Sequence, residues 1–227
     1  MTRSLYVIVP AYNEATVLHR GLARLLDVGY TVVVVDDGSS DNTWDILCDM
    51  PLHALRHPVN LGQGAALQTG MTYALLEGAE TIVHFDADEQ HQVEDIDVLT
   101  DPILRGEADI VLGSRFLRQA DSQAVPLRRR LLLRAGVVVN GILTGMWLSD
   151  AHNGMRAFSR RAAQEIQLEE NRMAHASEIL AQIRQSGLRY VERPTTIHYT
   201  EYSQEKGQSA LNGIRIVVDL VLRRIFR

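Results

Sequence analysis

A chain of 227 residues, 46% of them hydrophobic, can bury one substantial core, and a formal net charge of −5 without an aromatic-interleaved basic stripe argues against nucleic acid as its partner. Its single cysteine, Cys48, excludes an intramolecular disulfide. No apolar run reaches the roughly 18 residues of a membrane span, and no secretory leader opens the chain. The expectation is therefore a cytoplasmic protein, soluble or peripheral to a membrane.

Leu5 to Val9 and Thr31 to Val35 are short β-branched runs ending in polar turn residues, as expected of parallel strands buried on both faces. Between them Val17, Leu18, Leu22, Leu25 and Leu26 recur at helical spacing, with Asn13 as the expected N-cap, which makes a βαβ unit. A helix from Thr43 to Met50, a strand from Leu52 to Arg56, a helix from Gly64 to Leu76 and a strand ending at Phe85 continue the alternation. A helix over Val93 to Leu104 and a strand at Asp109 to Leu112 extend it. The predicted fold class is α/β, a Rossmann-like, doubly wound and mostly parallel sheet.

The second half is more basic and more apolar. Between Arg115 and Arg134 six arginines stand against Asp121 alone, and Arg128 to Arg130 lead into the apolar stretch Leu131 to Leu148, broken by Gly136, Gly141 and Gly145. That stretch reads either as a core helix or as an interfacial helix with basic flanks. A helix from Ala174 to Gln185 and strands near Tyr190 to Glu192 and Thr196 to Tyr199 follow. At the end Leu211, Ile214, Val217, Val218, Val221, Leu222 and Ile225 form an apolar stripe beside Arg215, Arg223, Arg224 and Arg227. Such a helix packs on the core or docks on an anionic membrane. The expected division is a catalytic domain over 1–207 and an amphipathic helix over 208–227.

The chemistry gathers where strands end. Asp86 and Asp88 close the run Thr81 to Phe85, and two carboxylates one residue apart at a strand's C-terminal end can share a hard divalent cation, Mg²⁺ or Mn²⁺, that bridges diphosphate oxygens. The plain alternative is a solvated acidic turn. The first strand runs into Pro10-Ala-Tyr-Asn-Glu14 and the second into Asp36-Asp-Gly-Ser-Ser-Asp-Asn-Thr43, so two adjacent strands deliver polar loops to one edge. Tyr12 can pack on a base, while Glu14, Asp36 and Asp37 can accept from base or ribose groups. Asp41 and Thr43 are better explained as helix caps. Asn60-Leu-Gly-Gln-Gly64 opens a helix at which Gly64 would let an anion approach the backbone. The pair His175 and Glu178 is the ordinary i,i+3 structural kind, and no zinc site is read from it.

Taken in order, Val9 to Glu14, Val35 to Thr43, Asn60 to Gly64, Asp86-Ala-Asp88 and Gly113-Ser-Arg115 make a set far more specific than its parts. The chain resembles glycosyltransferase family 2, whose catalytic domain has the GT-A fold. Asp86-Ala-Asp-Glu-Gln-His91 and Asp150-Ala-His-Asn-Gly-Met-Arg156 bring it nearest to the polyprenyl-phosphate glycosyltransferases typified by dolichol-phosphate mannose synthase.

The resemblance implies inverting transfer from a nucleoside diphosphate sugar, with Pro10, Tyr12, Glu14, Asp36, Asp37, Gly64, Asp86, Ala87 and Asp88 around the donor. Asp86, Asp88 and Gln90 would form the metal site. Arg115 after its strand and Arg156 would meet donor or acceptor phosphate, and Lys206, the chain's only lysine, would close on phosphate from a covering loop. Asp150 is the candidate catalytic carboxylate: a base for a hydroxyl acceptor, or a positioning group if the acceptor is a polyprenyl phosphate, which is already an anion. Many relatives carry membrane helices after the catalytic domain, so a lipid acceptor implies peripheral docking on the inner membrane face or a small membrane protein partner. The competing classes are a saccharide or protein acceptor and a non-catalytic nucleotide-sugar-binding scaffold. The lack of a GxGxxG after the first strand argues against a dinucleotide-dependent oxidoreductase.

Overall fold

The computed structural model describes residues 4–86, 90–118, 127–150, 153–171 and 174–197, with backbone alone at 127–129, 132 and 143. Strand β1 (Leu5–Ala11) leads through helix α1 (Leu18–Val28) to β2 (Thr31–Asp36), which pairs parallel to it with Val7 opposite Val32 and Val9 opposite Val34. Helix α2 (Thr43–Cys48) leads to β3 (His53–Arg56) on the outer side of β2, and α3 (Gln63–Leu76) crosses back to β4 (Thr81–His84) on the other side of β1. The gap between β1 and β4 is thus the point where strand order reverses, and open α/β sheets bind ligands at such a point beyond the C-terminal strand ends.

The second half departs from simple alternation. After α4 (Asp95–Leu104) and β5 (Ile110–Ser114), helix α5 (Leu127–Thr144) precedes β6 (Arg156–Ser159), which inserts antiparallel between β4 and β5. Helix α6 (Arg160–Glu165), helix α7 (His175–Ser186) and β7 (Tyr190–Pro194), parallel to β5, complete the order β3-β2-β1-β4-β6-β5-β7. The sequence reading did not foresee β6 or α6. Because β6 runs backwards, its first residue lies at the same sheet edge as the ends of β4 and β5.

Both faces of the sheet are covered, and the two-residue period of a strand sorts its side chains between them. Ile8, Val33, Ile82, Ile110 and Phe158 pack with Leu67 and Met71 of α3 and Ile179 and Ile183 of α7. Val7, Val9, Val34, Val83 and Val111 pack with Leu18, Leu22 and Leu25 of α1 and Ile96 and Leu99 of α4. The periodicity within α1 therefore holds, although its N-cap does not. Val17 precedes the helix, no side chain caps it, and Asn13 instead lies in the left-handed region at φ 52°.

Helix α5 combines both readings given to its stretch. Asn140 and Gly141 are buried and Val137 packs on the core, whereas Leu131, Val138 and Ile142 are exposed. The helix stops at Thr144, and Met146 and Leu148 return to the core. Among the described residues, no helix is long and apolar enough to cross a membrane. Beyond β7, Ile197 bridges to His91, and the remainder of the expected last strand and the terminal amphipathic helix lie outside the described residues.

Candidate active site

The β1–α1 and β2–α2 loops are stitched to each other. Asn13 N donates to Ser39 Oγ (2.9 Å), Ser40 N to Asn13 Oδ1 (2.9 Å), Glu14 N to Thr43 Oγ1 (3.0 Å) and Ala15 N to Asp41 Oδ2 (3.3 Å). Asn13 is thus a loop clamp, because its side chain serves Ser40 across the cleft rather than the first turn of α1. Asp41 also receives the Thr43 N–H and hydroxyl, but neither it nor Thr43 is the cap expected: Asn42 holds the N-cap position of α2, with no side-chain cap hydrogen bond. Burial pushes the Asp41 carboxyl up, but these hydrogen bonds outweigh it and hold it below the ordinary carboxylate value. The clamp leaves Pro10 and Glu14 half-buried and the ring of Tyr12 exposed at the strand edge.

Asp36 and Asp37 lie beneath this edge rather than on it. Asp36 accepts from Ser39 N (3.0 Å) and pairs with Arg56 Nε (3.1 Å), whose guanidinium also covers the Trp44 ring. Asp37 accepts from His57 Nδ1 (2.7 Å), Leu61 N (3.0 Å) and Gly62 N (2.6 Å), and the far side of the His57 ring meets Thr69 Oγ1 (2.9 Å). Both carboxylates are buried, so they hold the loops that form the edge.

Gly64 also has a different reason for being glycine. Its N–H donates to Asn171 O (2.8 Å), Ala65 N reaches the same carbonyl, and an added Cβ would collide with Glu170 O. The start of α3 is packed against the chain before α7, so the anion approach expected at Gly64 is taken by protein backbone.

Asp86 stands at the reversal point, just past β4. Gln63 Nε2 donates to its Oδ1 (3.1 Å) and His91 Nε2 meets its Oδ2 (3.1 Å), while its side chain keeps 30% exposure. Burial raises the Asp86 carboxyl, but the His91 hydrogen bond and the charges of His91, Arg156 and His175 outweigh it and hold the group below its usual range. Antiparallel pairing sets His84 opposite Arg156 and so brings Gly154 against Asp86, where any Cβ would strike the carboxylate. Among the described residues, no group of three or more His, Cys, Asp and Glu could hold a metal ion. The ionised, partly open Asp86 and the amide of Gln90 are hard oxygen donors that fit Mg²⁺ or Mn²⁺ once a second carboxylate joins them. Asp88, the expected second carboxylate, lies outside the described residues with Ala87, as does Lys206.

Three charged residues come from the end of β5, the start of β6 and the loop before β6. Arg115, expected as a phosphate ligand, pairs with Asp150: Nε lies 2.6 Å and the backbone N 3.2 Å from Asp150 Oδ2, and both side chains are buried. Arg156 is only 3% exposed, and among the described residues no hydrogen bond or ion pair engages its guanidinium. Burial lowers it to about 10, with Asp86 and Asp150 pulling it back up, so it carries its charge at neutral pH. Burial and the charges of Arg156 and His175 push the neighbouring His84 well below its ordinary value, so it adds no competing charge.

The model for Glycosyl transferase family 2 matches residues 6–167, which carry every part of this edge except its last strand. The chain belongs to that family. Among curated proteins, this glycosyltransferase is 35% identical to an uncharacterized protein of Methanocaldococcus jannaschii, over 98% of this chain and 93% of the other. It is 30% identical to the UDP-N-acetylglucosamine–dolichyl-phosphate N-acetylglucosaminyltransferase of Methanococcus voltae, over 97% and 96%. It is 29% identical to the polyprenol monophosphomannose synthase of Mycolicibacterium smegmatis, over 95% and 83%. Among solved structures, mannosyl-3-phosphoglycerate synthase from Rubrobacter xylanophilus superposes with a TM-score of 0.68 at 12% identity, covering 98% of this chain and 74% of that one. The glycosyltransferase therefore has the GT-A fold.

Of the residues foreseen at the site, the structure gathers Pro10, Tyr12, Glu14, Asp86, Gln90, Arg115, Asp150 and Arg156 along one sheet edge, sets Asp36 and Asp37 beneath it, and turns Gly64 toward Asn171. Sequence reasoning missed Gln63, His91 and Glu192. Gln63 and His91 lie within quoted motifs without having been given a role, so their place in the motif was a usable signal. Glu192 had none, because its partners Ser149 and Asp150 are more than forty residues away.

Proposed function

We propose that this glycosyltransferase moves a sugar from a UDP- or GDP-sugar to a polyprenyl phosphate, inverting the anomeric carbon, at the cytoplasmic face of a membrane. The observation that carries the acceptor assignment is Arg156, a buried cation without a hydrogen-bond or ion-pair partner among the described residues. Burying a guanidinium is unfavourable, and a phosphate that arrives with the substrate can add to the counter-charge of Asp86 and Asp150. The names of the Methanococcus voltae and Mycolicibacterium smegmatis relatives support a polyprenol-linked phosphate as that substrate.

In this reading Pro10, Tyr12 and Glu14 line the nucleoside, with Asp36 and Asp37 fixing their loops. Asp86, Asp88 and Gln90 would hold Mg²⁺ or Mn²⁺, and Ala87 is taken with them as a donor-binding residue. The cation would neutralise charge developing on the leaving diphosphate. Asp150 is engaged by Arg115, and an acceptor phosphate is already anionic and needs no base. Its role is then to hold Arg115 toward the phosphates.

Docking would use the exposed face of α5, where spacing puts Leu131, Arg134, Val138 and Ile142 on one side and exposed Trp147 follows. The terminal stripe over 208–227 adds a second basic, apolar element, and Lys206 closes over the phosphates. The test is sugar transfer to a short polyprenyl phosphate from a panel of UDP- and GDP-sugars, with Mn²⁺ or with EDTA, read by mass spectrometry of the lipid. A chelator-sensitive glycosyl phospholipid is expected. Donor turnover to a saccharide or peptide with no lipid product overturns the acceptor assignment, and donor binding without any transfer favours a scaffold.

A further inference from the structure

We infer that Glu192, on β7, is a positioning residue that sets the geometry of Asp150 and Arg115. Its carboxylate collects most of the turn that presents Asp150. Ser149 N donates to both oxygens (2.9 and 3.0 Å), Ser149 Oγ donates to Oε1 (2.7 Å), and Asp150 N reaches the same oxygen at 3.3 Å. Register places Glu192 opposite Leu112 of β5, two residues before Ser114, so it sits beside the strand end that delivers Arg115.

The hydrogen-bond directions make this a one-way chain. A carboxylate only accepts, so the Ser149 hydroxyl must give its proton to Glu192. In the 2.6 Å contact between the Ser149 and Ser114 hydroxyls, Ser149 is then the acceptor and Ser114 the donor. Ser114 Oγ in turn accepts from Phe116 N (3.2 Å), the residue after Arg115. One carboxylate thus ties down backbone on both sides: Ser149 and Asp150 directly, and the Ser114 to Phe116 turn through two hydroxyls. Arg115 and Asp150 are joined across the gap by their own 2.6 Å ion pair. Glu192 is more than forty residues from Asp150 in sequence and belongs to none of the recognised motifs.

This inference rests on the reading of Asp150 and Arg115 as groups that position the phosphates. Loss of the strut should leave donor binding intact, because the donor loops are clamped separately, and should let the Asp150–Arg115 pair relax by an amount that slows transfer. Steady-state kinetics and amide hydrogen exchange on the intact chain test it with Glu192→Ala, Glu192→Gln, Ser149→Ala and the Ser149→Ala/Glu192→Ala double variant. Glu192→Ala is expected to lower kcat at least tenfold with the donor KM within twofold, and to speed exchange at the Ser149 and Asp150 amides. Glu192→Gln, which keeps one acceptor oxygen, should recover most of kcat. The double variant should be no slower than Glu192→Ala alone, because both lesions cut the same chain.

A folded Glu192→Ala protein with kcat within twofold of wild type overturns the inference, as does a double variant whose losses multiply. If the unmodified protein transfers no sugar to lipid, the proposed function fails by itself and exchange still decides the strut. Faster exchange at Ser149 and Asp150 upholds it, and unchanged exchange rejects it.

Discussion

The proposed donor and acceptor sides of the site treat charge in opposite ways. On the donor side Asp36, Asp37 and Asp41 each find partners inside the protein: Arg56 and Ser39 N, then His57, Leu61 N and Gly62 N, then Thr43 and Ala15 N. On the acceptor side one buried arginine is paired with Asp150 and the other, Arg156, has no direct partner among the described residues. A region whose carboxylates already have partners within the protein gains little in charge compensation from a ligand. An unsaturated one is unfavourable when empty and gains when the missing charge arrives, which is how a site keeps binding energy for its substrate.

The largest effect is expected at Asp86, where the two sides meet. Asp86→Asn is expected to lower transfer by about 10³-fold, the scale of losing a main electrostatic group at a leaving diphosphate. The fold should be kept, because Gln63 and His91 still meet an amide of the same size. Circular dichroism and Mn²⁺-dependent donor titration check both halves, and transfer within tenfold of wild type would remove Asp86 from the metal site.

Next in size is Arg156→Met. Transfer should fall by about 10²-fold or more, the scale of a lost charged phosphate contact. Donor affinity should stay unchanged and the melting temperature should rise by a few degrees, because a buried cation with no hydrogen-bond or ion-pair partner among the described residues is replaced by an apolar chain of similar length. A fall in melting temperature would mean that Arg156 is a structural residue and that the two sides do not differ.

Asp37→Asn should show the opposite balance. Withdrawing one charged acceptor from His57, Leu61 N and Gly62 N is expected to cost about 2–3 kcal/mol of stability. Denaturant melts would detect it, and donor affinity should weaken as the loop loosens. A variant as stable as wild type that has lost donor binding would instead make Asp37 a direct ligand.

The smallest effect is expected far from the site, at Asp109. Its hydrogen bond from Arg189 lowers the carboxyl, burial opposes this, and further bonding and charge from Arg189 assist it, so the native value lies below the ordinary one. A depressed carboxylate contributes stability above its unfolded value, about pH 4, and loses it as pH falls through the native value. Arg189→Ala should therefore be slightly less stable than wild type at pH 7, with the gap closing toward pH 3, while transfer at pH 7 is unaffected. A gap that widens in acid would reverse the assigned sign.

Much of the donor side was legible in the sequence because its information is local. β-branched runs, the helical spacing of Leu18, Leu22 and Leu25, and an acidic strand end at Asp86 are patterns read within a few residues. Asn13 failed as a cap because a residue type that favours caps also tolerates the left-handed backbone and reached across to Ser40 instead. Gly64 was read as a helix start open to an anion, yet its neighbour is Asn171, more than a hundred residues away. On the acceptor side the motifs were visible but their pairings were not.

The sequence by itself determined the alternation of strands and helices, the family and the identity of nearly every charged group along the site, since these depend on residue type and short-range period. Only the tertiary structure decided that β6 runs backwards between β4 and β5, that Arg115 rather than Arg156 takes Asp150, and that Glu192 braces the turn between them. Each of those outcomes depends on contacts between segments distant in the chain, where burial and the need to satisfy every polar group choose among partners that sequence spacing leaves equivalent.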